Sequence, residues 1–253
     1  MYNPPVFNET DLARQHQLIR TCPLGLLISS GAAGLQVSPL PFHLVSDDSS
    51  LGRLQGHLSR ANPHWKELEG QEALVVFQGD DAYVTPSWYH SKSEHGKVVP
   101  TWNYVMVQVR GTVRVIDDPE WIRGQITRLT DEHEAHRAEP WHVTDAPSAF
   151  VDAQIKGIVG LEIAIQGIEG KFKVSQNRPE ADRNAVADAF EASGATAMSK
   201  MVRTYGNRRA TASSSTRQVT TALSPGDKGI PDPRTTRPHE SVRSNRAFRS
   251  RQD

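Results

Sequence analysis

From Val99 to Ile116 the chain alternates apolar and polar residues with a period of two. Val105, Val107, Val109, Val113 and Val115 fall on one face; Gln108, Arg110, Thr112 and Arg114 fall on the other. That period belongs to a strand with one face buried in a core, because successive side chains of an extended chain point to opposite sides. The strand is also long, which suits a large antiparallel sheet. At its entrance Thr101, Trp102, Asn103 and Tyr104 place a hydroxyl, an indole, an amide and a phenol side by side. Such a group is suited to a flat heteroaromatic ligand.

The rest of the first 190 or so residues reads as further strands with a few helices. Asn8 or Thr10 is placed to cap a helix running to about Arg20. Leu24–Ser30 and Leu35–Val45 read as strands joined by a turn at Gly31-Ala32-Ala33-Gly34. Leu51–Leu58 follows, and Asn62-Pro63 opens a short helix, since proline suits a first helical turn. Ala73–Phe77 and Tyr83–Thr85 flank a break at Gly79-Asp80-Asp81. Asp117-Asp118-Pro119 caps a helix to about His136, and Ser148–Ile155 is a second, shorter one. Ile158–Ile168 and Lys171–Ser175 read as strands meeting in a hairpin or bulge at Gly170. Strands that mostly neighbour one another in sequence favour an antiparallel barrel with flanking helices over a wound βαβ sheet.

Charge divides the chain in two. The 253 residues carry 29 basic and 29 acidic side chains, but residues 193–253 hold 12 basic against 4 acidic, a net of +8, leaving −8 for residues 1–192. The last 45 or so residues are rich in Ser, Thr, Arg and Pro, with one Leu and one Phe. So few large apolar groups cannot offset about 1–2 kcal/mol of backbone entropy per ordered residue, so a disordered tail is expected over 193–253. It reads either as a plain solvated extension or as a basic arm for DNA. Cys22 is the single cysteine, which excludes an intramolecular disulfide and a Cys-rich metal site. The first 20 residues are polar and no apolar run approaches the roughly 20 residues of a membrane span, so a cytoplasmic protein without membrane contact is expected.

Several motifs together resemble the PaiB family of FMN-binding transcriptional regulators. They are Met1-Tyr2-x-Pro4-x-x-Phe7, Gly56-His57-Leu58-Ser59-Arg60-Ala61-Asn62-Pro63, Tyr83-Val84-Thr85-Pro86-Ser87-Trp88-Tyr89, Pro100-Thr101-Trp102-Asn103-Tyr104 and Lys171-Phe172-Lys173-Val174-Ser175-Gln176-Asn177-Arg178. The resemblance runs to about Phe190 and implies a flavin-reductase-like split β-barrel over residues 1–192, with FMN as cofactor. It implies that His57, Ser59, Arg60 and Asn62 lie near the phosphate, Ser59 and Arg60 foremost. Read as plain structure, Arg60 is a solvated cation and Ser59 a helix cap. Thr101, Trp102 and Asn103 would face the ring, with Asn103 supplying the amide, while Trp102 reads equally well as core packing. Ser87, Trp88 and Lys92 lie on a loop whose aromatics either cover the ring or join a dimer interface, with Lys92 within reach of a phosphate. Ser91–Lys97 looks mobile. The resemblance further implies a homodimer with the flavin between subunits, to which Trp88, Tyr89 and the Val105–Val115 face would lend apolar area. The Lys171–Arg178 stretch would close the barrel and face either the cofactor or the other subunit.

Other patterns carry less. His133 and His136 lie three apart on a helix without a third ligand, and no nucleophile elbow is present. The first reading is therefore a flavin-binding negative regulator of transcription, acting indirectly or through the basic tail. The alternative is an FMN-dependent reductase or oxidase on the same fold, in which the flavin carries the chemistry.

Overall fold

The computed structural model describes residues 1–32, 34–46 and 51–206. Eight strands form one antiparallel sheet: β1 (Asn8–Glu9), β2 (Leu24–Gly31), β3 (Gly34–Pro41), β4 (His43–Val45), β5 (Arg53–Ser59), β6 (Glu72–Val84), β7 (Thr101–Ile116) and β8 (Ile158–Lys173). Their order is β3-β2-β6-β7-β8-β5-β4, with β1 paired to β8. The two ends of this path are consecutive in sequence, so the sheet curls round and closes at the β3–β4 corner. Buried Phe42 marks that corner, its N–H bonded to the Pro23 carbonyl at 2.9 Å. The expected single strand Leu35–Val45 is thus split, half serving each edge.

The long alternating strand behaves as its sequence requires. Val105, Val107, Val109 and Val113 are in the core with Leu27, Phe42, Phe77, Leu161 and Ile163, while Arg110 and Arg114 are exposed. The Val105–Val115 face therefore lines the barrel interior and is not free for a second subunit. Tyr89 is likewise buried, and Trp88 packs edge-on against Phe190 at 5.2 Å. β6 runs through Gly79-Asp80-Asp81 with a bulge between Gln78 and Asp81. β8 is continuous, with no hairpin at Gly170; its irregularity faces the Arg110/Gly111 step of β7. Gly170 instead lets β1 approach, since a Cβ there would stand 3.0 Å from the Glu9 carbonyl oxygen.

Helices cover the barrel. Asp11, rather than Asn8 or Thr10, caps α1 (Leu12–Thr21) by accepting from the Ala13 N–H. α2 (Ser91–His95) is a single turn within the stretch expected to be mobile. α3 (Pro119–Glu134) begins at Asp118, whose carboxylate accepts from the Glu120 N–H as anticipated. α4 (Ser148–Ile155) and α5 (Glu180–Ala192) follow. A further helix, α6 (196–206), lies past the 192/193 boundary suggested by composition. Its Met198 and Val202 enter the main core, its Ser199 hydroxyl donates to the Ala187 carbonyl at 2.8 Å, and Tyr205 donates to the Glu9 carboxylate. Folded structure thus continues at least to Gly206. The remainder of the expected disordered tail, with its expected DNA contact, lies outside the described residues.

Candidate functional site

The start of β7 and the end of β8 come together at one end of the barrel, where Tyr104 pairs with Lys173. Pro100 forces the residue before it to be extended, so β7 starts cleanly at Thr101. After β8 the chain turns through Ser175–Arg178, where the Arg178 N–H bonds the Ser175 carbonyl at 2.9 Å. Ser175 has φ 65°, the left-handed region a non-glycine residue occupies only at a cost of about 1–3 kcal/mol. Asn103, fully buried, offsets this: its Nδ2 donates to the Ser175 hydroxyl at 3.0 Å, and that hydroxyl donates back to Oδ1 at 3.1 Å. Gln176 braces the turn further by accepting from the Val174 N–H at 2.7 Å and donating to the Phe172 carbonyl.

Around this turn the charge is one-sided. The Lys173 ammonium donates to the Thr101 hydroxyl at 2.5 Å and to the Trp102 carbonyl. Burial, then Arg178 and Lys171, hold its pKa below the usual lysine value. Arg178 lies over the Tyr89 ring at 4.5 Å, and Lys171 lies between the Tyr2 and Tyr104 rings at 5.5 and 5.6 Å. Thr101, Asn103, Lys173, Ser175, Asn177 and Arg178 line a hollow of about 30 Å³. Asp182, the buried carboxylate of the adjoining α5, spends its oxygens on the Ser91 N–H at 2.9 Å and Ser91 hydroxyl at 2.7 Å. Among the described residues, Lys171, Lys173 and Arg178 form no ion pair with a carboxylate.

Trp102 points the other way. It is 54% exposed, meets Tyr83 edge-on at 5.8 Å, and lines an open hollow of about 360 Å³ with Gln78, Asp81, Tyr104 and Met106. Of its two sequence readings, core packing is excluded. Ser87 is exposed and accepts from the Lys92 ammonium at 3.3 Å. Trp88 precedes Tyr89, so this loop adjoins the cationic hollow through the Tyr89–Arg178 stack.

His57, Ser59, Arg60 and Asn62 gather elsewhere, and each has work inside the chain. His57 Nδ1 bonds the Oε1 of buried Gln125 at 2.9 Å. The Ser59 hydroxyl accepts from the Ala61 N–H at 3.3 Å. Asn62 caps the turn Pro63–Glu67 by accepting from the His64 N–H, and its Nδ2 donates to the Ser38 hydroxyl at 3.2 Å. Arg60 grips Asp117 with two bonds of 2.9 and 2.5 Å, the Lys156 carbonyl at 3.0 Å and the Ile158 carbonyl at 3.0 Å. Four of the five guanidinium N–H donors are therefore committed. The mutual bonds raise the Arg60 pKa and lower that of Asp117. Arg60 and Asp117 border a cavity of about 510 Å³ with Pro119, Ile122, Asp152, Ile155 and Lys156. This cluster lies at the far end of β7 from Thr101. At about 3.3 Å per residue, the 15 intervening steps amount to about 50 Å of strand. One chain therefore divides its sequence-predicted site residues between two places.

Residues 1–167 match a protein family described as "Putative FMN-binding domain". The chain belongs to that FMN-binding domain family. An uncharacterized protein of Emericella nidulans is 37% identical over 76% of this chain and 90% of its own length. The Bacillus subtilis protein named protease synthase and sporulation protein PAI 2 is 29% identical over 76% of this chain and 89% of its own. Among solved structures, the FAD and heme binding protein of Mycobacterium smegmatis superposes with a TM-score of 0.50 at 23% identity, covering 66% of this chain and 73% of that one. That likeness concerns the fold, and it agrees with the antiparallel split barrel the sequence led us to expect. Membership supports FMN as the cofactor. The family match ends inside β8, just short of Lys171–Arg178, which the family resemblance placed at the closure of the barrel, towards the cofactor or the other subunit. The residues' own signal is two lysines two apart on one strand face, then an arginine, with no acidic residue from 171 to 178.

Proposed function

We propose that this chain binds FMN at the β7 entrance, between two copies of itself, and acts as a regulator of transcription of the PaiB type. The carrying observation is the exposed Trp102 over an open hollow, one residue from the buried and firmly held Asn103. An indole wall and neighbouring polar groups fit the ring system of a flavin, and the adjoining ammonium and guanidinium groups fit an anionic tail. Bound FMN would supply redox chemistry, while the protein binds and orients it.

One observation favours a second copy. An apolar face remains uncovered on β2 and β3, where Leu24, Leu26, Leu35 and Val37 point outward, Leu35 with 78% of its surface exposed. Contiguous exposed apolar area of this kind marks an association surface. The regulatory role rests on kinship with PAI 2, whose name refers to protease synthase and sporulation. Residues 1–192 carry a net charge of −8, which opposes direct contact with DNA; control of transcription then runs indirectly or through the basic C-terminal segment.

The test is the visible spectrum of purified full-length protein after incubation with FMN and gel filtration. A retained flavin spectrum at about one flavin per chain supports the reading, and apoprotein with none overturns it. Rapid anaerobic bleaching by NADH or NADPH would replace the regulator with an oxidoreductase.

A further inference from the structure

We propose that the end of β8 is an anion seat for a phosphate monoester, built from Lys173 and Arg178 with the Thr101 hydroxyl and the Asn177 amide, over a floor made by Asn103 and Ser175. On the function proposed above, with FMN as the ligand, the monoester is the flavin's own phosphate. This moves the phosphate away from Arg60, which the sequence reading favoured.

Charge is the first argument. Arg60 is neutralised by Asp117 and has one N–H left, whereas Lys171, Lys173 and Arg178 converge with no carboxylate paired to them. Like charges brought together in this way repel, and an anion between them relieves the repulsion. Burial first, and then the neighbouring Arg178 and Lys171 charges, hold the Lys173 pKa below its usual value. Geometry is the second argument. Lys173 spends two of its three N–H groups on Thr101 and Trp102, which fixes the ammonium and leaves one donor. Arg178 is held over the Tyr89 ring at 4.5 Å, and guanidinium is the side chain best suited to a two-pronged contact with phosphate. The hollow itself is about 30 Å³, room for one phosphate oxygen, with the rest of the group across its mouth. The third argument is the rigid floor. Ser175 is kept in a left-handed conformation by a buried amide, which fixes the turn that carries Asn177 and Arg178 before any ligand arrives.

The experiment compares FMN and riboflavin affinity, by quenching of flavin fluorescence, in the full chain and in Lys173→Gln and Arg178→Gln. Glutamine retains donors for Thr101 and Trp102, and melting curves confirm that each variant folds. We expect each variant to weaken FMN about tenfold or more while leaving riboflavin within about twofold, the loss expected of one charge-assisted contact. Lys173→Arg should restore most of the FMN affinity. Inorganic phosphate should compete with FMN but not with riboflavin. Equal weakening of both flavins, or of neither, overturns the seat while leaving flavin binding intact. Phosphate that binds together with FMN would instead make the seat a site for a second anionic ligand and overturn its assignment to the flavin. If the wild-type chain binds neither flavin, the function proposed above fails, and the seat is judged by phosphate alone. A phosphate-dependent rise in melting temperature that Lys173→Gln abolishes sustains it; no rise ends it.

Discussion

Met198→Ala should destabilise the barrel, although composition alone assigns Met198 to a disordered tail. The side chain is 2% exposed and lies in the same core as Val186, Ala187 and Phe190 of α5. Truncating a buried methionine to alanine costs about 2–5 kcal/mol, the lost transfer energy plus the cavity left behind. For a domain of this size each kcal/mol shifts the midpoint by roughly 2–4 °C, so a fall of about 4–20 °C is expected. The assay is thermal unfolding followed by circular dichroism, on the full chain and on chains ending at residues 206 and 192. The chain ending at 206 should melt with the full-length protein. The chain ending at 192 should melt well below it, because it loses Met198, Val202 and the Tyr205–Glu9 contact together. If Met198→Ala and the 192-residue chain both melt with wild type, α6 contributes no packing and the inference of a core reaching residue 206 is wrong.

Three further outcomes follow from the same geometry. Arg60→Ala should weaken FMN and riboflavin in equal proportion and lower the melting temperature, because its bonds go to Asp117, Lys156 and Ile158; loss of FMN affinity alone would return the phosphate to Arg60. His64 is buried between the Ser29 and Ser38 hydroxyls, each at 2.8 Å, and burial holds its pKa below the ordinary 6.5, with Glu67 opposing. The unfolded chain then binds the extra proton first, so this contribution to stability is whole above about pH 6.5 and is lost as pH falls towards the folded value. His16 shifts in the same direction, so His64→Gln should flatten, without abolishing, the decline in melting temperature between about pH 7 and 5; an unchanged slope would show that His64 does not titrate in that window. Leu26→Asp with Val37→Asp charges the outward face of β2 and β3, and should give a monomer by light scattering with much weaker FMN binding. A monomer with wild-type FMN affinity would refute the shared site.

What the sequence made legible follows from the range of the interactions involved. The alternation along β7, the Asp118 cap of α3 and the Gly34 turn are set by neighbours a few residues apart, and the structure has all three. The Gly170 hairpin failed because glycine there answers to β1, which lies more than 160 residues away. The end of the fold was misplaced for a similar reason. Helix α6 has only a few large apolar residues, yet Met198 and Val202 meet a surface already built by α5, and averaging over 193–253 dilutes them among Ser, Thr and Arg.

The same principle governs the site residues. Asn103 was legible as a special amide at a strand entrance, but its partner Ser175 lies 72 residues on, and only the folded chain shows that the amide is spent on holding a left-handed serine. Arg60 beside Ser59 at a strand end has the local appearance of a phosphate ligand. Asp117, 57 residues away, cancels its charge. Lys173 and Arg178 have the opposite history. What sets them apart is their meeting at one end of the barrel around a single hollow, with no ion-pair partner among the described residues. A cation's availability is thus a property of what the fold brings to it. For that reason a charge-bearing motif is the part of a sequence that local reading constrains least, and the core-facing alternation of β7 the part it constrains most.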